Sequence, residues 1–436
     1  MVQEQKKGFY RKGRRKQFKL RMIRRIKTIR DVVDWRLCTG CGACYYACNK
    51  GAISLINIES VGIRPKFNRK VCSSCTDCLS ICPGNYVNAN LGVNGVAEKI
   101  ESDLLIGPTL EIWEGFAADK ELRFFAASGG VLSALALYCL EKEHTEFVLH
   151  TGANPSQPWT NRTVISRNKD DLAARTGSRY APASPCDGLQ LIEEAKAPCV
   201  FIGKPCDVAA VSLLRKQRPL LNTNLGLVLT FFCAGTPSTK GTLELLKKLD
   251  ITPKEIEELR YRGNGWPGSL RVVYNNRLKE KSVTYGESWS FLEKFRPFRC
   301  HLCPDGLGQM ADISCGDAWH RYTGNGDAGR SLILVRSQRG HEILHRAMAA
   351  GYLELTPSDT SEVVAAQEGL LEKRKETFGR LTAMHILLTP TPRFVGFSLF
   401  EAWTELPLLT KLRSILSTFK RLVHRGLWRR GDYDSV

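Results

Sequence analysis

Eight cysteines between Cys38 and Cys82 carry the clearest chemistry in this chain. Cys38, Cys41, Cys44 and Cys48 read C-x2-C-x2-C-x3-C, and Cys72, Cys75, Cys78 and Cys82 repeat that spacing. Three thiolates on one tight loop reach three corners of a cubane, and the fourth points at a neighbouring cluster. The run predicts two [4Fe–4S] clusters with interlocked ligands. Cys38, Cys41, Cys44 and Cys82 are assigned to one, and Cys72, Cys75, Cys78 and Cys48 to the other. Pro83 follows the last cysteine, as this pattern prefers. Asn49 follows Cys48, where proline is usual, so the first loop is expected to exit differently. A disulfide framework suits short secreted chains, and nothing in this sequence reads as secreted. Zinc takes four ligands, usually paired C-x2-C or histidines, and has no use for the third cysteine at a spacing of two.

A second set is less specific. Cys300 and Cys303 form a C-x2-C pair, and Cys206 and Cys233 each follow an apolar strand-like run. Together they offer four thiolates on loops that an α/β sheet would gather at one edge. On spacing alone, a third cubane and a pair of small buried thiols beside an incidental C-x2-C both remain open. Cys139, Cys186 and Cys199 read as core or surface thiols, and Cys315 as a substitute ligand.

The elements that must position these residues alternate. Strands are expected around 113–118, 147–150, 199–203, 225–234 and 331–336. Helices are expected over 127–140, 170–175, 207–216 and 340–351. Such alternation argues for an α/β layer with a parallel or mixed sheet. Gly203-Lys204-Pro205-Cys206 and Cys233-Ala234-Gly235 follow strand ends, where such sheets place ligands. Ser128-Gly129-Gly130 opens a helix. It reads either as an anion-binding turn or, more simply, as an N-capping serine before a buried helix. The small region from 35 to 100 has little apolar sequence of its own beyond Ile53–Val61. Cluster binding is expected to hold it together.

The chain has 436 residues, 43% hydrophobic and 25% charged, which is ordinary for a globular protein of more than one domain. No apolar run is long enough to span a bilayer. The basic start lacks the apolar stretch of a secretory signal. Sixteen cysteines belong in a reducing compartment, so a cytoplasmic location is expected. The net charge of +19 lies at the two ends. Residues 1–30 hold thirteen Lys/Arg against Glu4 alone, and residues 411–430 hold seven and no acid. Both stretches keep an amphipathic helical rhythm, the second through Leu412, Ile415, Leu416, Phe419, Leu422 and Val423. Such helices dock on anionic lipid at the inner membrane face or on an acidic partner. The plainer alternatives are a solvated tail at the start and a packed helix at the end. Nucleic-acid binding is disfavoured, though steeply salt-dependent affinity through the terminal arginines would mark it.

Taken together, several motifs resemble the beta subunits of coenzyme F420 hydrogenases and dehydrogenases. They are the cysteine pair of runs, Ser128-Gly129-Gly130, Gly177-Ser178-Arg179-Tyr180, Gly203-Lys204-Pro205-Cys206, Phe232-Cys233-Ala234-Gly235, Tyr261-Arg262, Gly265-Trp266-Pro267-Gly268, Cys300-His301-Leu302-Cys303-Pro304-Asp305, Ala311-Asp312-Ile313-Ser314 and Gly316-Asp317. The resemblance spans roughly 35–350. It implies an α+β protein: a small two-cluster ferredoxin-like domain, then an α/β flavin-binding core with a mixed sheet. The expected division is a basic segment at 1–34, the ferredoxin-type domain at 35–100, family N- and C-terminal regions at 101–215 and 216–360, and a helical basic tail at 361–436.

The same resemblance implies FAD as a cofactor. It places Ser128, Gly129, Gly130, Ser178, Arg179, Tyr180, Gly203 and Lys204 near the flavin, and a third [4Fe–4S] cluster on Cys206, Cys233, Cys300 and Cys303. The expected activity passes electrons from ferredoxin or a partner subunit through the clusters to FAD. The final acceptor is an organic substrate: coenzyme F420, a chlorophyll precursor as in plant and cyanobacterial relatives, or another hydride acceptor. Lys204 is expected to stabilise an anionic reduced flavin. Asp305, Asp312 and Asp317 are candidates for proton donation or for turn caps, the second being commoner beside turns. The alternative is a non-catalytic electron-transfer subunit serving a partner oxidoreductase.

Overall fold

Residues 225–231 read Leu-Gly-Leu-Val-Leu-Thr-Phe, a run with no polar face, which suits a strand covered on both sides. In the computed structural model, which describes residues 25–91, 101–324 and 326–431, this run lies inside an eight-stranded mixed sheet. An antiparallel hairpin of β1 (Ile53–Ile58) and β2 (Gly62–Phe67) precedes it. The sheet strands are β3 (Glu111–Ala117), β4 (Val148–Asn154), β5 (Gln157–Ser166), β6 (Cys199–Gly203), β7 (Leu225–Phe231), β8 (Ile313–Asp317), β9 (Ser331–Val335) and β10 (Leu353–Pro357). Their spatial order is β10-β3-β9-β8-β7-β6-β4-β5. The pairings β8/β7, β7/β6 and β6/β4 are parallel, and the flanking pairings are antiparallel.

Side chains alternate across this sheet. Phe201 faces one core with Leu149 and Val228, whereas Val200 and Ile202 face the other with Val148, Leu227 and Leu229. The second face is covered by α1 (Val131–Lys142) and by a later helix, α3 (Gln338–Ala349). The first is covered by α2 (Pro205–Arg215) and by the cysteine-rich region, through Ala43, Tyr46, Ile81 and Val87. Two long C-terminal helices, α4 (Thr360–Ile386) and α5 (Leu408–His424), complete the chain. Ala383, Met384 and Leu422 pack with Ile29, Val32, Leu37 and Cys38.

Two expectations shift, and one strand goes unforeseen. The strand expected through 234 stops at Phe231, so Cys233 sits in a turn, where its N–H donates to Gly306 O at 2.8 Å. The helix after Ser128 begins only at Val131, and its N-cap is Gly130 at φ +77°, so Ser128 does not cap it. Ser128 instead bonds Ser331 Oγ at 2.9 Å. The edge strand β5 carries a proline and few apolar residues, which an edge position tolerates and a periodicity reading overlooks. The basic stretch before Arg25 lies outside the described residues. Among those described, no helix is long and apolar enough to cross a membrane.

Candidate functional site

The first cysteine loop turns on glycines. Gly40 and Gly42 adopt φ +74° and +88°, and a side chain at Gly42 would strike Ser184 O at 2.8 Å, so only glycine lets this loop dock on the core. Cys38, Cys41, Cys44 and Cys82 line one small buried cavity. The second set gathers separately: Cys48, Cys72 and Cys75 are the neighbours that, after burial itself, push the Cys78 thiol up to about 11. At the unusual exit from the first loop, Asn49 Oδ1 accepts from Arg218 at 2.6 Å. Cys186, an ordinary core thiol by sequence, is a partner of this loop. Its N–H donates to Cys41 O at 3.1 Å, and its buried thiol abuts Cys41.

A second cavity adjoins the first and shares Cys38, Thr39, Gly40 and Ile63 with it. Cys206, Cys233, Cys300 and Cys303 all line this second cavity. Cys206 sits in the first turn of α2 behind Pro205, which suits that position because its missing N–H is not needed there. Cys233 follows β7, and Cys300 and Cys303 flank the end of a short helical turn. Burial raises the Cys233 thiol to about 12, and nearby Cys300 and Cys303 add to that rise. The donor set therefore favours an added cation that would relieve the crowding of like charges. Arg299 is buried against the cavity. Its Nη2 donates to Pro83 O at 3.0 Å, while Nε and Nη1 have no partner. Two orphaned donors beside four thiols fit the sulfur shell of a cluster, which accepts N–H bonds. Cys315 lies elsewhere, on β8, in the wall of the main cavity. It does not line the second cavity with the other four cysteines, and burial raises its thiol to about 12.

The main cavity, of about 290 Å³, shares Ala183, Lys204, Cys233, Gly235 and Thr236 with the second. It opens over the C-terminal ends of β6 and β7, the crevice where sheets of this kind bind ligands. Ser128, Gly130, Ser178, Arg179, Tyr180, Gly203 and Lys204 line it. Gly129 does not, and Ser331 Oγ accepts its N–H at 3.0 Å. Arg179 is less available than expected. It donates to Asn161 Oδ1, Leu259 O, Pro158 O and Thr160 O, pinning β5 to the neighbouring Ile256–Arg260 strand. Val131, Leu132 and Ser133 bring the start of α1 to the wall, and no side chain caps that helix. Its first N–H groups are thus placed for an anion.

Lys204 separates the two cavities. Its Nζ donates to Asp207 Oδ2 at 2.7 Å and to Ala183 O at 3.0 Å. Burial acts to discharge it, but Asp207 and the neighbouring Cys206 and Cys233 outweigh burial and hold it charged. An ammonium has three donors, so one remains for a ligand. Of the three aspartates, Asp305 caps a turn and Asp312 ties β7 to the residue that caps α3. Asp305 Oδ1 accepts from the N–H groups of Gly308 and Gln309, and Asp312 holds Val228 N and Ser337 Oγ. Asp317 alone reaches the cavity, where it forms a two-pronged pair with Arg262 at 2.7 and 3.0 Å and accepts from Trp266 Nε1. Arg262 also lies over the Tyr285 ring. Gln367 joins them at a kink in α4, donating to Asp317 O at 2.6 Å. His150 was missed by sequence reading. Burial lowers its imidazole to about 4 and keeps it neutral in the cavity wall.

Tyr285 and Trp319 belong both to this cavity and to an outer recess that adds Trp266, Tyr322, Phe124, Lys120 and Arg123. Trp319 stacks on Trp266 and on Tyr285, with ring centroids 5.3 and 5.4 Å apart.

Cysteine runs for paired clusters, set in a protein whose cavities adjoin one another, define an iron–sulfur electron-transfer protein. Residues 37–86 match the 4Fe-4S dicluster domain. Residues 112–190 and 198–361 match the N-terminal and C-terminal regions of the coenzyme F420 hydrogenase/dehydrogenase beta subunit. The chain belongs to that family and is an iron–sulfur oxidoreductase component. It is 24% identical over 287 residues to the coenzyme F420 hydrogenase subunit beta of Methanothermobacter thermautotrophicus, covering 62% of this chain and 91% of that one. It is 22% identical over 324 residues to a subunit of the F(420)H(2) dehydrogenase of Methanosarcina mazei, covering 72% and 83%. A plant 7-hydroxymethyl chlorophyll a reductase from Oryza sativa is 23% identical over 54% of this chain and 49% of its own length. In fold, the chain is similar to a chain of the F420-reducing [NiFe] hydrogenase complex from Methanosarcina barkeri, at a TM-score of 0.52 and 22% identity, over 65% of this chain and 94% of that one.

Lys204→Met removes the partner of buried Asp207, whose carboxyl burial already pushes above its usual range, so it should destabilise the protein by about 3–5 kcal/mol. Adding Asp207→Asn should restore most of that loss. Anaerobic denaturant unfolding of the two variants checks this, and an unaltered single variant would contradict the pairing.

Proposed function

We propose that this chain carries electrons between its N-terminal clusters and a flavin in the main cavity, by way of a third [4Fe–4S] cluster on Cys206, Cys233, Cys300 and Cys303. One observation carries the reading. Three cavities adjoin in series, the first two sharing Cys38 and the last two sharing Lys204 and Cys233. FAD would supply the conversion from single electrons to a hydride. The uncapped start of α1 and the turns at Gly177, Gly203 and Gly235 offer close backbone approach to its phosphates and ring. The spare donor of Lys204 would stabilise negative charge on it. The paired Arg262 and Asp317 fix the cavity wall where a substrate would meet it. The aromatic recess with Lys120 and Arg123 suits a flat, anionic hydride acceptor. The relatives' names include coenzyme F420 and 7-hydroxymethyl chlorophyll a.

The second reading is a subunit that hands electrons to a partner oxidoreductase without turning over a small substrate. Several relatives are named as subunits, which supports it. Iron, sulfide and flavin per chain, measured in protein purified without oxygen, separate the two. The converter requires about twelve irons, at four per cubane, with one FAD. About eight irons and no flavin would leave only the carrier.

We also propose that α5 docks the protein on an anionic membrane surface. Leu408, Leu409, Leu412, Leu416, Phe419 and Val423 are exposed on it, Leu409 to 81%. Lys411, Arg413 and Lys420 flank them, and no acid occurs from 406 to 430. Residues 31–36 also meet the basic C-terminal stretch. Arg430 pairs with Asp31 and Asp34, and Arg36 donates to Arg429 O at 2.8 Å. An aliphatic stripe edged by Lys and Arg suits lipid better than a protein interface, whose core is depleted in lysine. The full chain should co-sediment with vesicles containing phosphatidylserine and not with phosphatidylcholine alone. A Leu409→Glu/Leu416→Glu variant should stay in the supernatant. Equal partitioning of the variant and the parent would overturn the assignment.

A further inference from the structure

At the end of β3 away from the cavities, three side chains converge. Glu111 opens β3, where its backbone pairs with Val335 across the ladder. His341 and His345 lie four residues apart on α3, a spacing that puts both on one helical face. His341 Nδ1 is 2.8 Å from Glu111 Oε1, and His345 Nε2 is 3.1 Å from Oε2. All three prospective ligand atoms lie within 4.8 Å of one another.

We propose that Glu111, His341 and His345 bind a divalent transition metal ion, zinc being the best match to two imidazoles and a carboxylate. Zinc takes nitrogen and oxygen donors at about 2.0–2.2 Å, so tetrahedral donors sit about 3.3 Å apart. The two imidazole-to-carboxylate distances are already close to that. Each imidazole offers a lone pair when its proton resides on the other ring nitrogen: Nε2 for His341 and Nδ1 for His345. Neither exchange requires the backbone to move.

The surroundings resemble a support shell rather than a chance surface pair. Trp113 Nε1 donates to Glu111 Oε2 at 2.9 Å and fixes the carboxylate plane. The Trp113 ring also meets His345 edge-on, with centroids 5.6 Å apart. Outer partners of this sort orient metal ligands and raise their affinity. The helix carrying the histidines is fixed at its start by Ser337, whose Oγ accepts from Gly340 N at 3.0 Å and bonds Asp312 Oδ1. Three protein ligands leave one coordination position open to water.

The site stands apart from electron transfer. Ala117, at the other end of β3, donates to Gly129 O beside the main cavity. Six residue steps of about 3.3 Å put Glu111 roughly 20 Å from that point. An ion here would instead clip α3 to β3.

Nickel is the probe of choice, because imidazole suits it while thiolates draw zinc. Cluster-loaded full-length protein would be titrated with Ni²⁺ by calorimetry without oxygen, beside Glu111→Gln and His341→Ala/His345→Ala. The parent should bind about one equivalent more than the double variant, at micromolar affinity or tighter, and Glu111→Gln should bind at least tenfold more weakly. Added Ni²⁺ should raise the unfolding temperature of the parent only. Iron content checks that the variants are intact. If the double variant loses iron, the near-isosteric Glu111→Gln decides. Equal Ni²⁺ uptake by the parent and Glu111→Gln would overturn the site.

Discussion

The parallel pairing of β6 with β7 governs the arrangement of this protein. Ile202 is in register with Leu229, and Gly203 with Thr230, so both strands end at the same edge of the sheet. Cys206 and Cys233 therefore emerge side by side although 27 residues separate Gly203 from Thr230 in the chain. The Thr230 hydroxyl fastens this edge by donating to Gly203 O at 2.7 Å. Cys300 and Cys303 arrive from the segment that leads into Asp305, whose buried carboxyl faces Arg336 and Arg374. A shift of this register would move the two strand-end thiols apart and break the wall common to the second and main cavities.

The ferredoxin-type region depends on that same edge. It does not stand off as a separate module. Ala43, Tyr46 and Ile81 pack into the core that covers one sheet face, and Gly42 lies against the turn at Ser184–Asp187. Buried cations then mark the borders between cavities. Arg64 and Arg299 lie where the first two meet, and Lys204 where the second meets the third. Each stands beside thiols, so positive charge is concentrated where thiolates are expected. This low-dielectric placement strengthens every such interaction beyond its value in water.

Much of this was legible in the sequence because its signals are local. The repeated cysteine spacing, the apolar run at 225–231 and the Gly203–Cys206 turn each carry their own chemistry in a few residues. What was missed depends on tertiary placement. The resemblance places Arg179 near the flavin, but only its neighbours show that four acceptors claim its donors. His150 is an ordinary strand residue in sequence and becomes a neutral cavity group only through burial. Asp317 looked like Asp305 and Asp312, and only the arrival of Arg262 from a distant loop distinguishes it. The polar edge strand β5 and the kink at Gln367 lack any periodic signature. Glu111 and His341 are separated by 230 residues, so no motif could join them.

The central claim is that the three cavities form a single electron path, and stopped-flow reduction tests it most directly. Parent protein and a Cys300→Ala variant, both carrying N-terminal clusters and flavin, would be mixed without oxygen with a reduced one-electron donor. The account predicts that the N-terminal clusters are reduced equally fast in both, while flavin reduction slows at least tenfold in the variant. Flavin reduction at the parental rate in Cys300→Ala would contradict it, because electrons would then be reaching the main cavity by another route.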